Sequence, residues 1–338
     1  MTVVSEKQEN GAPAFEEIAP GLWLLPLPLP AGHMPFVLCY LIEDSAGGVH
    51  VVDPGWDSDS YWSAFERALR RIGKTVSDVA SVIVTHLHSD HLGMAERLVR
   101  ASGASIVLHR AEQSAVDQLL LERAGDPERS RIREQLALWG VPSVRSDELV
   151  AATMLNYTVS AISADVLLDD GDILPIAGRS MSTIWAPGHT KGSICLVEPD
   201  ERLILTGDHV LPTVHPGIGL GGRGDSNPLR DYLHSLDVVS SYDDHHVLPG
   251  HGYRFTGLAA RIDQTRRHHL RRSAEVAEVL ESVARDDSDL GVDELTVWRV
   301  AERVRWSAGW SGLSGPYLQA ALNQIAMHID YLRIIPQE

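Results

Sequence analysis

The sequence predicts a layered α/β fold with a helical C-terminal region. Two observations carry that class. Short apolar runs of strand type alternate with segments whose apolar residues recur at helical spacing, and Gly, Pro and Asp turns separate them. Beyond about residue 257 the spacing is helical only.

Residues 1–20 are polar and acidic and are expected to form a loose tail. Residues 22–25 and 36–42 (Phe-Val-Leu-Cys-Tyr-Leu-Ile) read as strands, and His50–Val52 as another, ending at Asp53-Pro54-Gly55. Residues 59–72 place Trp62, Phe65, Ala68, Leu69 and Ile72 on one helical face, with Gly73 as the stop. Val79–Thr85 is a strand, followed by a His-rich loop, a helix near 90–102 and a strand at Ser105–His109. Residues 111–160 are charged and helical in pattern, an insertion able to border a pocket. Strands return at Val166–Leu168, Ser182–Trp185, Ser193–Val197, Leu203–Thr206 and Val247–Leu248, and 211–228 should be a loop. A long helix is expected over 257–284, with two or three more over 293–333.

The chain has 338 residues, of which 44% are hydrophobic, so it can bury one large core or two modest ones. No apolar run approaches the ~20 residues of a membrane span, and no signal peptide is evident. Cys39 and Cys195 read as buried thiols rather than a disulfide scaffold. A cytoplasmic protein is the expectation. Lys+Arg number 29 against 46 Asp+Glu, a net charge of −17, which disfavours nonspecific nucleic-acid binding. The compositional oddity is 16 His beside three Lys.

Those histidines are not scattered. Thr85-His86-Leu87-His88-Ser89-Asp90-His91-Leu92-Gly93 follows a strand and offers four ligand groups in six residues. His86 and His88 share a side if the segment is extended. Imidazole and carboxylate together suit a borderline divalent cation. Further ligand types stand at other strand ends, in Pro187-Gly188-His189, Gly207-Asp208-His209 and Pro249-Gly250-His251. Sites in α/β proteins gather at such ends.

This pattern resembles the metallo-β-lactamase-fold hydrolases, over roughly residues 20–255. The resemblance implies an αββα sandwich with the site on one edge, in a catalytic domain of residues 21–255 that contains the 111–160 insertion. It implies one metal on His86, His88 and His189, a second on Asp90, His91 and His251, and Asp208 bridging both. Two divalent ions are expected, zinc first, with iron or manganese as alternatives. They would bring a shared water towards neutrality so that the hydroxide attacks a carbonyl or phosphodiester centre. Asp90 is expected to orient that nucleophile and shuttle a proton. Asp53 would hydrogen-bond a ligand imidazole and fix its tautomer. With no Cys among the ligand positions, the chain looks more like the glyoxalase II, lactonase and lactamase-like endoribonuclease branches than like the exported β-lactamases.

Other residues carry weaker signals. His209 should face away from the ligands, as a buried polar neighbour. Lys191, His215, Arg223 and Tyr253 lie in loops beside ligands and are weak substrate-contact candidates. His33, His50, His109, His234, His245, His246 and His328 show no ligand spacing. Arg261, Arg266, Arg267, His268, His269, Arg271 and Arg272 make a basic run that could meet RNA, but more often forms a solvated helix face. The order His-His-x-x-Arg resembles the start of the helical, winged-helix-like module of the endoribonuclease branch, here residues 256–338. The apolar, Trp-bearing tail would suit a homodimer.

The leading expectation is a dinuclear hydrolase of a small ester, thioester or lactone. A phosphodiesterase or endoribonuclease is the alternative, and a non-catalytic metal-binding regulator the third.

Overall fold

A computed structural model describes residues 13–29, 34–122, 126–156, 161–222, 224, 226–286, 296–307 and 309–334. His33 and Arg223 therefore lie outside the described residues, as does most of the expected tail.

One sheet runs in the order β1 (Glu16–Ala19), β2 (Leu22–Pro28), β3 (Phe36–Glu43), β4 (Val49–Val52), β5 (Val79–Ile83), β6 (Ser105–His109), β7 (Val166–Leu168). Its first four strands are antiparallel, and β4 to β7 are parallel. The second sheet holds β8 (Ser182–Trp185), β9 (Ile194–Glu198), β10 (Leu203–Gly207) and β11 (His246–Pro249) in the order β11-β10-β9-β8.

Period-two alternation sorts each strand between two cores. From β3, Leu38, Tyr40 and Ile42 join Leu196, Leu205 and Leu248 between the sheets. Val37, Cys39 and Leu41 point the other way, against Phe65 and Leu69 of α1 (Asp59–Arg71) and Leu98 of α3 (Ala95–Ser102). On the outer face of the second sheet, Cys195, Val197 and Ile204 pack on Tyr232 and Leu236 of α7 (Pro228–Val239) and Ile262 of α8 (Leu258–Asp286). Helix, sheet, sheet, helix is the expected four-layer sandwich. Because both faces are covered, the strands read as continuous apolar runs, and both cysteines are buried.

A separate helical core joins the insertion to the C-terminal region. Ile132 and Leu136 of α5 (Asp126–Leu138) and Leu149 of α6 (Ser143–Asn156) meet Val276 of α8. Trp298 of α9 (Val297–Arg303) and Leu322 and Ile325 of α10 (Gly315–Ile334) complete it. α4 (Arg110–Glu122) instead turns Ala115, Val116 and Leu119 to the sandwich.

Two expectations need correction. The tail does not extend to residue 20, because Glu16–Ala19 pairs with β2 as an edge strand, Glu16 opposite Leu24. The helix expected near 90–102 is divided into α2 (Ser89–Leu92) and α3. Gly93 sits at the division with no room for a side chain: a Cβ there would lie 2.3 Å from Ser89 O and 3.1 Å from Gly55 O.

Candidate metal centre

The parallel pairs β4·β5 and β10·β11 bring their C-terminal ends to one rim. His86 follows β5, Asp208 follows β10 and His251 follows β11, while His189 comes from the β8–β9 turn. There the side chains form two clusters that share a carboxylate. In the first, His86 Nε2, His88 Nδ1 and His189 Nε2 are mutually 3.0, 3.1 and 3.3 Å apart. Three nitrogens at about 2.0–2.1 Å from a tetrahedral cation would be about 3.3 Å apart, so the spacing fits. In the second, His91 Nε2 and His251 Nε2 are 3.2 Å apart. Asp90 Oδ2 is 3.3 Å from the His251 nitrogen and 3.9 Å from that of His91. Asp208 turns Oδ1 to His91 and His251, at 3.5 and 3.4 Å, and Oδ2 to His189 at 3.8 Å. Its Oδ1 is buried and has no hydrogen-bond partner.

The outer ring nitrogens fix the tautomers. His189 Nδ1 donates to Gly217 O at 2.7 Å, and His251 Nδ1 to Phe36 O at 2.6 Å. His88 Nε2 faces Leu220 O at 3.3 Å, which leaves its Nδ1 as the inward atom. His91 Nδ1 donates to Asp53 Oδ2 at 2.8 Å. Thr85 Oγ1 donates to the same carboxylate oxygen at 2.7 Å and accepts from His86 Nδ1 at 3.0 Å. Thus every imidazole has its outer nitrogen committed and its inner lone pair aimed at the cluster. Lone pairs crowded this closely repel unless a cation lies among them, so the donor set fits divalent metal. Asp53 also accepts from Thr85 N and holds φ at 53°, an uncommon conformation that Asp tolerates better than most residues.

The two clusters differ electrostatically. Burial and the neighbouring imidazoles keep His86 neutral and push His88 down to about 4. Burial opposes charge on His251, but Asp208 and Asp90 outweigh it and hold its pKa up to about 11. Burial likewise raises Asp90 and Asp208, yet the surrounding imidazoles hold both below the usual carboxylate range. A cation here would take the place that these carboxylates otherwise offer to a proton, so metal uptake would be coupled to proton release.

One supporting residue was not singled out from the sequence. Glu112 of α4 is fully buried and accepts from Leu87 N at 2.6 Å, Thr190 Oγ1 at 2.8 Å and Gly192 N at 2.7 Å. It thereby joins the loop of His86 and His88 to that of His189. Burial pushes its pKa up to about 7 against those donors. The only sequence signal was an acidic residue in the first turn of a helix that follows a strand.

The weaker candidates divide. His209 is buried against the Tyr232 ring at 4.9 Å, and its ring makes no hydrogen bond to the clusters. Lys191 Nζ donates to Gln118 at 3.1 Å. His215 faces α8, 3.2 Å from Thr265 Oγ1 and stacked on His268. Tyr253 is 44% exposed. Much of the basic run is engaged locally, with Arg266 on Asp237, Arg267 on Asp263 and Arg272 on Glu275.

Comparison with known proteins agrees with this geometry. The chain is similar to the probable metallo-hydrolase YqjP of Bacillus subtilis, 25% identical over 76% of this chain and 79% of that protein. It is 26% identical to the hydroxyacylglutathione hydrolase GloC of Haemophilus influenzae, over 63% of this chain and 84% of that one. A metallo-beta-lactamase family protein from Thermus thermophilus superposes with a TM-score of 0.71 at 25% identity, covering 94% of each chain. The metallo-beta-lactamase superfamily model matches residues 35–251, and the chain belongs to that superfamily.

Proposed function

We propose that this superfamily hydrolase cleaves a small ester, thioester or lactone at a centre of two divalent ions, zinc by preference of its nitrogen and oxygen donors. The observation that carries the reading is the set of five imidazoles with their inner lone pairs convergent on two points and Asp208 between them.

His86, His88 and His189 would hold one ion; Asp90, His91 and His251 the other; Asp208 would span both. Bound ions would acidify water and polarise the scissile carbonyl. Asp53 fixes His91 directly and His86 through Thr85, so one carboxylate keeps both ligand sets in register. The Asp90 side chain is 23% exposed, between the cluster and solvent. Asp90 would orient the attacking water and pass its proton to the leaving group.

The surroundings favour a small, largely neutral substrate over RNA. Leu220, whose carbonyl meets His88, is 42% exposed, and Tyr253 lies two residues beyond His251. Leu220 thus offers exposed apolar surface beside His88, while several arginines of α8 are spent on acidic neighbours. The thioesterase option is also suggested by the likeness to the glutathione thioester hydrolase named above.

A panel of esters, thioesters, lactones and single-stranded RNA, assayed on zinc-reconstituted protein, tests the reading. Turnover of a carbonyl substrate is expected, and Asp208→Ala should abolish it. Cleavage of RNA alone, weakened by neutralising Arg266, Arg267, Arg271 and Arg272, would overturn it.

A further inference from the structure

The loop from Leu211 to Gly222 supplies the carbonyls that orient two imidazoles of the first cluster, Gly217 O for His189 and Leu220 O for His88. It is laid directly on the His189 turn, with Gly219 N donating to Gly188 O and Leu220 N to His189 O, both at 2.8 Å. Something must hold the loop's other end, because an unbraced loop samples local openings at small free energy.

That support comes from α8, which begins after the last residue matched by the family model. Arg261 is only 8% exposed and forms no ion pair with a carboxylate among the described residues. Its Nε donates to Leu211 O at 2.6 Å, its Nη2 to Val214 O, and its Nη1 to Gln264 Oε1 at 3.2 Å. A buried guanidinium is costly unless its donors are satisfied, and here two of them go to the loop backbone. One and two turns along α8, Thr265 and His268 receive His215 of the same loop by a hydrogen bond and a ring stack at 4.1 Å. Arg261 thus anchors the loop at Leu211 and Val214, three residues before the first of the two carbonyls beneath His189 and His88. The direct hydrogen bonds of this loop to ligand rings go to the first cluster; His91 is held by Asp53 and His251 by Phe36 O, and the loop meets the second cluster through Pro212 against Gly252 and through the shared Asp208.

We propose that Arg261 is a positioning residue chiefly for the first cluster, so that the C-terminal helix sets the affinity of one of the two ions more than that of the other. The inference rests on the two-ion reading above. Zinc binding by the full chain, followed by competition with a chromophoric chelator, reads it without an activity assay. Wild-type protein should take up two ions. In Arg261→Met, which fills the space but donates nothing, one ion should bind about 10- to 100-fold more weakly, the range for lost support of a ligand. The other ion, which shares Asp208 with the first, should weaken less. Arg261→Lys, with a single ammonium for two carbonyls, should fall between, and is the variant to rely on if the Met substitution does not fold. Arg267→Ala, on an exposed pair with Asp263, should match wild type. Wild-type protein that takes up no zinc would sink the reading of the centre. Two ions in wild type but unchanged affinities in the folded Arg261 variants would overturn the role of Arg261, as would an equal loss at both sites.

Discussion

Replacing Asp53 by Asn probes the centre without changing its shape. Asn also tolerates the positive φ of this position, so backbone strain is not added. The carboxylate accepts three hydrogen bonds, from Thr85 N, Thr85 Oγ1 and His91 Nδ1, at 2.7 to 2.8 Å. An amide has one oxygen for these donors. If the oxygen faces His91 and the hydroxyl, the amide NH2 opposes Thr85 N–H. If it is turned the other way, the NH2 opposes His91 Nδ1, which can then carry no proton, and Nε2 becomes the protonated atom that cannot coordinate. The first orientation removes one charge-assisted bond and the second disturbs two, because Thr85 Oγ1 and His91 Nδ1 share Oδ2; one such bond is about 1.5–3 kcal/mol. At 1.4 kcal/mol per tenfold, that is a weakening of about 10- to 100-fold. The ion on His91 should be affected most. The ion on His86 should follow less, because its support passes through Thr85. Chelator competition on the folded variant measures both. Wild-type affinity at both sites in Asp53→Asn would refute the argument that this carboxylate sets the tautomers.

Three further outcomes follow from particular contacts. In Gly250→Ala the new Cβ would lie 2.5 Å from Asp208 Oδ1 and 2.8 Å from His91 Cε1, so bound zinc should fall below two ions per chain; elemental analysis showing two would count against a spanning Asp208. Glu112 is raised to about 7, so it binds a proton more tightly in the folded chain than in the unfolded one. The stability this gives is present below about pH 4.5 and is lost as pH rises to 7, by up to about 3 kcal/mol. Glu112→Gln should remove that slope, and parallel denaturant titrations at pH 5 and pH 7.5 in the metal-free state would detect its persistence. Stepwise chelation should release the ions separately and the first-cluster ion sooner, because His88 has only a 3.3 Å contact to a loop carbonyl whereas His91 and His251 have bonds of 2.8 and 2.6 Å. A single cooperative release would show that the unequal supports have no bearing on affinity.

The fold was legible where pattern and burial coincide. Phe36–Glu43 reads as an apolar run because alternate residues enter two different cores. The helix at 59–71 shows its stripe because only one face is covered. The edge strand Glu16–Ala19 was not legible: its sequence, Glu-Glu-Ile-Ala, has little apolar alternation, and its stability comes from pairing with a neighbour. The division of α2 from α3 was hidden as well. Helical spacing cannot report that Asp57 and Gly55 press on Gly93 from another segment.

The site divides along the same physical line. Its seven proposed ligand residues stood out because His and Asp beside Gly at strand ends have few structural reasons to recur. Their supports did not. Four of the five outer imidazole nitrogens are held, at least in part, by groups that composition cannot flag: three backbone carbonyls and a threonine hydroxyl. Arg261 looked like one member of a basic run, and its burial against Leu211 and Val214 depends on a loop some 50 residues earlier. Glu112 looked like an ordinary helix carboxylate until two separate loops closed over it. Ligand identity is a local property of sequence, whereas ligand orientation is a property of tertiary contacts. Substitutions at the ligands should therefore remove metal outright, and substitutions at the supports should grade its affinity, unequally between the two clusters.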